Sequence, residues 1–420
     1  MKSKKALKTL LFVLLLIILI LFTWIFFGTE DRVTETPTPS PEPFGSGGGT
    51  NVVAPFTLPA DFEGEIEQGD AEGVTTTETS EGEVFSLFRI TSTPVSGYTF
   101  VNSATGTDSL RYVDRATGHI FDTKISDNNS LEKIRLSNAT LPKIYEAHFR
   151  NDGMAVILRT LENGSDLVRN LSLSLKPNTG TSTQELLSVD IKPLDNNIDS
   201  VSPSTNSVFY YFKKNRKEIS ASDFFGLNQK SIYYTPFTNW SIEDMGTSLL
   251  IYTKPTFLGD GLALSLSTTT RATKKLVGPL RGLMVKPNKD GSKLLYSYNN
   301  SGYINLFYRN TKSNENVEIS TDALAQKCIW SSINADVFYC ATPVGGLFGQ
   351  SPDDWFMGRT NYSDYIWTYN VSLEQSDLVI NPKDKHNLDL DIYDLKLDSD
   401  ERFIAFINKK DLTLWALRLR

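Results

Sequence analysis

The stretch Arg281–Asn310, RGLMVKPNKDGSKLLYSYNNSGYINLFYRN, decides how the rest of the chain is read. Apolar Leu283 and Val285, on alternate positions, run into a Pro-Asn-Lys-Asp-Gly turn around Asp290 and Gly291. Leu294, Leu295, Tyr296 and Tyr298 form a second run, and an Asn-Asn-Ser-Gly turn leads into Tyr303, Ile304, Leu306, Phe307 and Tyr308. Aromatic and aliphatic runs punctuated by such turns predict consecutive antiparallel hairpins. One small sheet of this kind cannot bury both of its faces, so it needs copies of itself as neighbours.

Working outward, the copies are there. Hairpin turns fall near Gly106, Gly153, Thr205, Gly246, Gly291, Ala335 and Asp400, every 41 to 52 residues apart from a last gap of 65. Repeats of about 40–50 residues with four strands each predict a β-propeller. First and second strands can be read in seven units, from Gly97–Asn102 with Leu110–Asp114 to Ile392–Leu397 with Phe403–Ile407. The expected fold is therefore all-β and seven-bladed, with six or eight blades as the alternatives. The third strand of the third unit, near Ile219, has no clear limits. The last unit exhausts the chain at its own third strand, Leu412–Leu419. Val84–Thr91, VFSLFRIT, stands before the first unit without a partner, and its ending resembles the fourth strand LEKIRLS at Leu131–Ser137. Two unpaired edges would otherwise face water, so residues 84–91 are predicted to complete the last blade.

Ahead of this domain, 84–420, lie three segments of different character. Residues 1–9 are basic, with Lys2, Lys4, Lys5 and Lys8. Leu10–Phe27 is an apolar run of 18 residues broken only by Thr23, which at ~1.5 Å per residue spans ~27 Å of a bilayer core of ~30 Å. Lysines before it and Glu30 and Asp31 after it put the N-terminus in the cytoplasm and the remainder outside. The absence of an Ala-x-Ala site favours an uncleaved single-pass signal anchor over a removed signal peptide. Residues 28–83 are rich in Pro, Gly, Thr and Glu, with no Lys or Arg between Arg32 and Arg89. They read as a disordered tether, with a root-mean-square reach of ~40 Å. Beyond the apolar run the chain carries 38 basic against 49 acidic residues, a balance that excludes nucleic acid as an expected partner.

The hairpins RNDGMAVIL (Arg150–Leu158), KPNKDGSKLLY (Lys286–Tyr296) and LDSDERFIAF (Leu397–Phe406) resemble the S-P-D-G-x-x-[LIV]-x-[FY] turns of TolB-like and WD-repeat propellers. DRATGHIF (Asp114–Phe121) resembles the D-x-x-T-G turn between later strands of such blades. Lys286 stands where those turns carry Ser, and no unit ends in Trp-Asp, which leaves the TolB-like comparison. The resemblance covers about Val84 to Arg420 and implies a fold, not an activity.

Few residues have the chemistry of a site. Reflecting the hairpin KCIWSSINADVFYCA about Asn334 sets Cys328 opposite Cys340. Facing Cβ atoms at ~4.5–5.5 Å allow a disulfide in an oxidising exterior, and two buried thiols are the other reading. The insertion Ala341–Asp364 in the sixth unit is too long and too aromatic for an idle connection. It offers Asp353, Asp354, Trp355, Phe356, Arg359 and Tyr362 as partner contacts, or else it is a flap that plugs the central channel or covers its own blade with those aromatics. Asp389, Asp391, Asp394, Asp398 and Asp400 lack calcium-loop spacing and read as solvated turn residues. The three histidines lack metal-ligand partners, and no G-x-S-x-G is present. No metal, cofactor or catalytic residue is implied.

The expectation is a membrane-held bacterial propeller outside the cell, acting without catalysis as a docking or scaffold module for another envelope protein or a cell-wall component. The alternatives are a glycan- or cell-wall-binding receptor, with Trp355, Phe356 and Tyr362 as an exposed shelf, and a propeller hydrolase, which needs convergent carboxylates.

Overall fold

The computed structural model describes residues 75–78 and 84–419, apart from 102–108, 126–129, 162–166, 177–186, 205–206 and 348. The basic N-terminus, the apolar run Leu10–Phe27 and most of the tether lie outside the described residues. Among the described residues no helix is long and apolar enough to cross a membrane.

Strands β1 (Thr75–Glu78) and β2 (Val84–Arg89) come first. Blade 1 is β3 (Val95–Val101), β4 (Ser109–Asp114), β5 (Ile120–Ile125) and β6 (Leu131–Arg135). Blade 2 is β7 (Ile144–Phe149), β8 (Ala155–Leu161), β9 (Val168–Lys176) and β10 (Ser188–Pro193). Blade 3 is β11 (Ile198–Pro203), β12 (Val208–Lys213), β13 (Glu218–Asp223) and β14 (Lys230–Tyr234). Blade 4 is β15 (Trp240–Asp244), β16 (Ser248–Thr253), β17 (Asp260–Ser267) and β18 (Thr273–Arg281). Blade 5 is β19 (Met284–Pro287), β20 (Lys293–Asn300), β21 (Tyr303–Asn310) and β22 (Asn316–Ile319). Blade 6 is β23 (Cys328–Trp330), β24 (Val337–Pro343), β25 (Asp364–Asn370) and β26 (Gln375–Ile380). Blade 7 joins β27 (Ile392–Leu397), β28 (Phe403–Asn408) and β29 (Leu414–Arg418) to β2.

Each blade is an antiparallel meander, so its loops alternate between two faces. Loops between first and second and between third and fourth strands leave on one side, here the turn face. Loops between second and third strands, and between blades, leave on the other, here the flap face.

Seven hydrophobic clusters fill the seven gaps between neighbouring blades. Alternation along each strand makes this possible, because successive side chains point to opposite faces of a sheet. In β28 the whole run Phe403–Asn408 is buried, with Phe403 and Ala405 turned towards blade 1 and Ile404 and Phe406 towards blade 6. Gly97 lets the inner strands of blades 1 and 2 approach, since a Cβ there would lie 2.2 Å from the Ala147 carbonyl oxygen.

The ring closes through β2, which pairs with β29 in the register Leu87↔Leu417 and Phe88↔Ala416. Leu87 packs into the gap with blade 6 and Phe88 into the gap with blade 1. Thr75–Glu78, within the span read as tether, adds β1 as a fifth strand outside β2. The vague third strand of blade 3 is β13, paired on both sides. Cys328 and Cys340 are register partners and are joined as a disulfide. Closing so short a loop stabilises the fold by about 3 kcal/mol.

Phe88 is 1% exposed, so Phe88→Ala opens a void at the closing blade and is expected to cost about 3–5 kcal/mol. Chemical denaturation of the variant checks this, and a loss below about 1 kcal/mol would contradict the packing described.

Candidate functional site

The blade 5 strands β20 and β21 are joined by the two residues Ser301 and Gly302, whereas residues 344–363 separate β24 from β25 in blade 6. This flap contains a single helical turn, α1 (Asp353–Phe356), and polar bonds hold it down across the flap face. The Asp353 carboxylate accepts from Thr256 Oγ1 at 2.9 Å and from the Phe257 backbone N–H, both in blade 4. Asn299 of blade 5 donates through Nδ2 to the Ser351 carbonyl at 3.2 Å. Trp355 Nε1 donates to Asp391 Oδ1 at 3.0 Å, and the Tyr362 N–H donates to Asp391 Oδ2 at 3.1 Å, which ties the flap to blade 7.

Beneath the flap lies a buried charge cluster. Lys327, in the turn that leads into β23, donates through Nζ to Asp364 and to Asp391, each at 2.7 Å, and all three side chains are 0% exposed. The same ammonium lies 4.8 Å from the Tyr362 ring centre and 5.1 Å from that of Trp355, adding cation–π attraction. One cation is thus shared by two carboxylates. Burial pushes the Asp364 carboxyl up to about 6, against the opposing pull of Lys327.

The flap covers one end of the central channel, a cavity of about 870 Å³ with Trp355 and Phe356 in its wall and Asn151, Gly246 and Lys289 of the turn face at its other end. Glu146, Glu243, Lys286, Asp394 and Lys396 on its wall are each in an ion pair. Glu146 meets His148 at 3.0 Å and Arg159 at 2.6 Å. Burial works to raise the Glu146 carboxyl, but His148 and Arg159 outweigh it and hold it at about 2. Glu243 of blade 4 and Lys286 of blade 5 meet at 2.6 Å. Lys286 is desolvated, which opposes its charge, yet Glu243 beside it keeps its pKa above the ordinary value. Lys396 bonds the Tyr98 carbonyl at 2.5 Å, lies over the Tyr98 ring and faces Asp394 at 3.4 Å. Burial raises the hydroxyls of Tyr98, Tyr252 and Tyr393, so all three stay protonated as hydrogen-bonding groups at neutral pH.

The residues singled out in the insertion are therefore divided. Asp353, Trp355 and Tyr362 fasten the flap, with Trp355 only 3% exposed. Phe356 lines the channel, and Arg359 pairs with Asp354 on the outer side. Two of the acidic residues read as solvated are not so: Asp391 is buried against Lys327, and Asp398 is buried where it accepts the Phe403 N–H at 2.7 Å. Of the channel's charged groups the sequence reading reaches Asp394, as a turn residue, but not Glu146, Glu243 or Lys396, although Lys286 in place of the usual turn Ser is a signal. Among the described residues no group of three or more His, Cys, Asp or Glu is arranged to hold a metal ion.

No family model and no curated protein matches the chain. Solved structures do. Oligogalacturonate lyase in complex with manganese is 9% identical, with a TM-score of 0.53 over 83% of this chain and 96% of that one. The fold is a seven-bladed β-propeller. TolB from Acinetobacter baumannii is 11% identical with a TM-score of 0.39, over 66% of this chain and 61% of that one, so the match spans less than two thirds of that TolB. Streptogramin B lyase is 12% identical with a TM-score of 0.47, over 80% and 98%. Propellers of this kind include enzymes by name, so the fold leaves the activity open.

The Asp364 value generates a test. Asp364 ordinarily titrates near 3.8 and here near 6, so between those values the folded chain holds a proton that the unfolded chain has released. Its contribution to stability is complete below 3.8 and is lost as pH rises through about 6. Asp364→Asn mimics the protonated acid, so the Tm of the variant minus that of wild type should rise between pH 4 and pH 7.5. A difference that falls over that range would contradict the assignment.

Proposed function

We propose that the protein is a membrane-held, extracytoplasmic binding module whose ligand or partner enters the central channel from the turn face. The carrying observation is the construction of that channel. Trp355 and Phe356 stand at one end, turn-face residues at the other, and the wall presents aromatic rings and charges already paired with one another. Its volume is in the range of ligand-binding cavities. Blade packing holds the wall rigid, so recognition would rest on a preformed surface.

A non-catalytic role is supported by the pairing. Glu146, held at about 2, is ionised at neutral pH and is a poor proton donor, whereas a hydrolase acid needs a raised value. The apolar run 10–27 and the tether supply the anchor in this reading, with the N-terminus cytoplasmic, the propeller outside, and another envelope protein or a cell-wall component as partner. The glycan-receptor reading keeps one specific observation, the rings of Tyr252, Tyr393 and Phe356 on the channel wall. It takes the channel as its site in place of an exposed shelf, because Trp355 is buried.

Asn151 and Lys289 are exposed at the turn-face end of the cavity, so Asn151→Trp/Lys289→Trp narrows the mouth without touching the ion pairs. Cross-linked capture from intact envelopes, and capture of soluble cell-wall fragments, should fall at least about tenfold for this variant. It should be unchanged for Met357→Ala/Arg359→Ala on the outer side of the flap. The reverse pattern would move the contact to the flap and reject the channel.

A further inference from the structure

The acidity of the chain does not belong to the propeller. Residues 84–420 contain 37 Lys and Arg against 36 Asp and Glu, so the excess of negative charge lies in the segment that precedes them. What charge the propeller shows to a neighbour is set by its distribution over the two faces.

The flap face is apolar at its loop tips and basic between them. Leu258 in the β16–β17 loop is 85% exposed, Tyr303 at the β20–β21 turn 69%, Met357 in the flap 64%, and Phe237 between blades 3 and 4 56%. These four side chains come from consecutive positions around the ring, from the blade 3–4 connection to blade 6. Beside them, the β12–β13 turn presents Lys214, Arg216 and Lys217, all exposed, and Lys254 and Arg281 are exposed on blade 4. The exposed carboxylates on this arc are Asp260, Glu318 and Asp322, and Lys254 pairs with Asp199 at 2.8 Å. Protruding apolar tips ringed by cations match the chemistry of an anionic lipid surface, where rings and aliphatic chains enter the headgroup layer and cations meet the phosphates.

The path of the chain gives an independent direction. β1 runs antiparallel to β2, with Thr75 opposite Leu87 and Glu78 opposite Val84. Since β2 ends in a connection between blades, Thr75 lies at the flap-face end of blade 7. We infer that the propeller lies with its flap face against an anionic lipid bilayer, leaving the channel mouth turned away from the membrane. The inference rests on the membrane-anchor reading only for the weight given to the position of Thr75.

The test uses the full chain with the Cys328–Cys340 disulfide intact, carrying an environment-sensitive fluorophore at Leu258→Cys or at Ile333→Cys. Ile333 is 60% exposed in the β23–β24 turn of the opposite face. The protein is reconstituted with vesicles of phosphatidylcholine and phosphatidylglycerol whose acyl chains are brominated or plain. Bromine should quench the Leu258 probe by roughly half and leave the Ile333 probe unchanged. Lys214→Glu/Arg216→Glu/Lys217→Glu should cut that quenching about twofold. A Leu258 probe that is not quenched overturns the inference, as does equal quenching of both probes. Shielding that is indifferent to bromine, the mark of a second copy or a protein partner on this face, overturns it as well. Alkaline extraction of the same samples reads the anchor separately. A chain washed off after its Leu258 probe was quenched keeps the lipid-facing surface and rejects the anchor, and an integrated chain with an unquenched probe does the reverse.

Discussion

The structure depends on one pairing, that of β2 with β29. A four-stranded blade has two apolar faces and is stable only with a blade on either side, so a row of seven would leave two faces in water. The pairing removes both. Leu87 and Phe88, adjacent in sequence and therefore on opposite faces of the strand, enter the gaps on the two sides of blade 7. Each buried side chain of this size stabilises the fold by about 2–3 kcal/mol, and the backbone bonds remove an open sheet edge. The channel is a product of closure, because its wall is the set of inner strands held at fixed distances by the clusters between blades.

Closure also decides where polar groups can go. Around the axis the inner strands face one another, and charges there are kept by pairing across blades, as with Glu243 and Lys286. Under the flap, the cost of burying Lys327 is offset by two carboxylates and two aromatic rings. Asp391 takes part in that cluster and in the bonds to Trp355 and Tyr362, so the closed end of the channel and the junction of blades 6 and 7 are one structure. A flap held this way is a wall of the cavity, and a ligand approaching the channel meets the turn face first.

Much of the ring was legible because it is local. Hairpin turns, alternation and repeat length are written over a few residues at a time, and the register of Cys328 with Cys340 followed from reflecting a single hairpin. Even the closing strand could be found, since a lone β-run before seven units with one strand missing has one place to go. The site was not legible in the same way. Glu243 and Lys286 are 43 residues apart, and Lys327 and Asp391 are 64 apart, so no short window shows that they meet. Lys327 sits in a polar-looking Ala-Gln-Lys and Asp391 in an acidic run, both of which read as surface until the neighbouring blade is in place. The aromatic composition of the insertion marks it as more than an idle connection, but whether its rings face water or the axis depends on Asp391, on a different blade.

Closure of the ring is measured most directly by cysteines at a register pair. Ser86 and Arg418 are partners in the β2–β29 ladder, where facing residues lie within disulfide reach. On a non-reducing denaturing gel, oxidised Ser86→Cys/Arg418→Cys cleaved once by a protease in an exposed loop should keep its two fragments joined until reductant is added, with the wild type separating when its cut lies outside 328–340. Fragments of the double variant that separate without reductant would show that β2 does not complete the last blade, and the ring would not be closed.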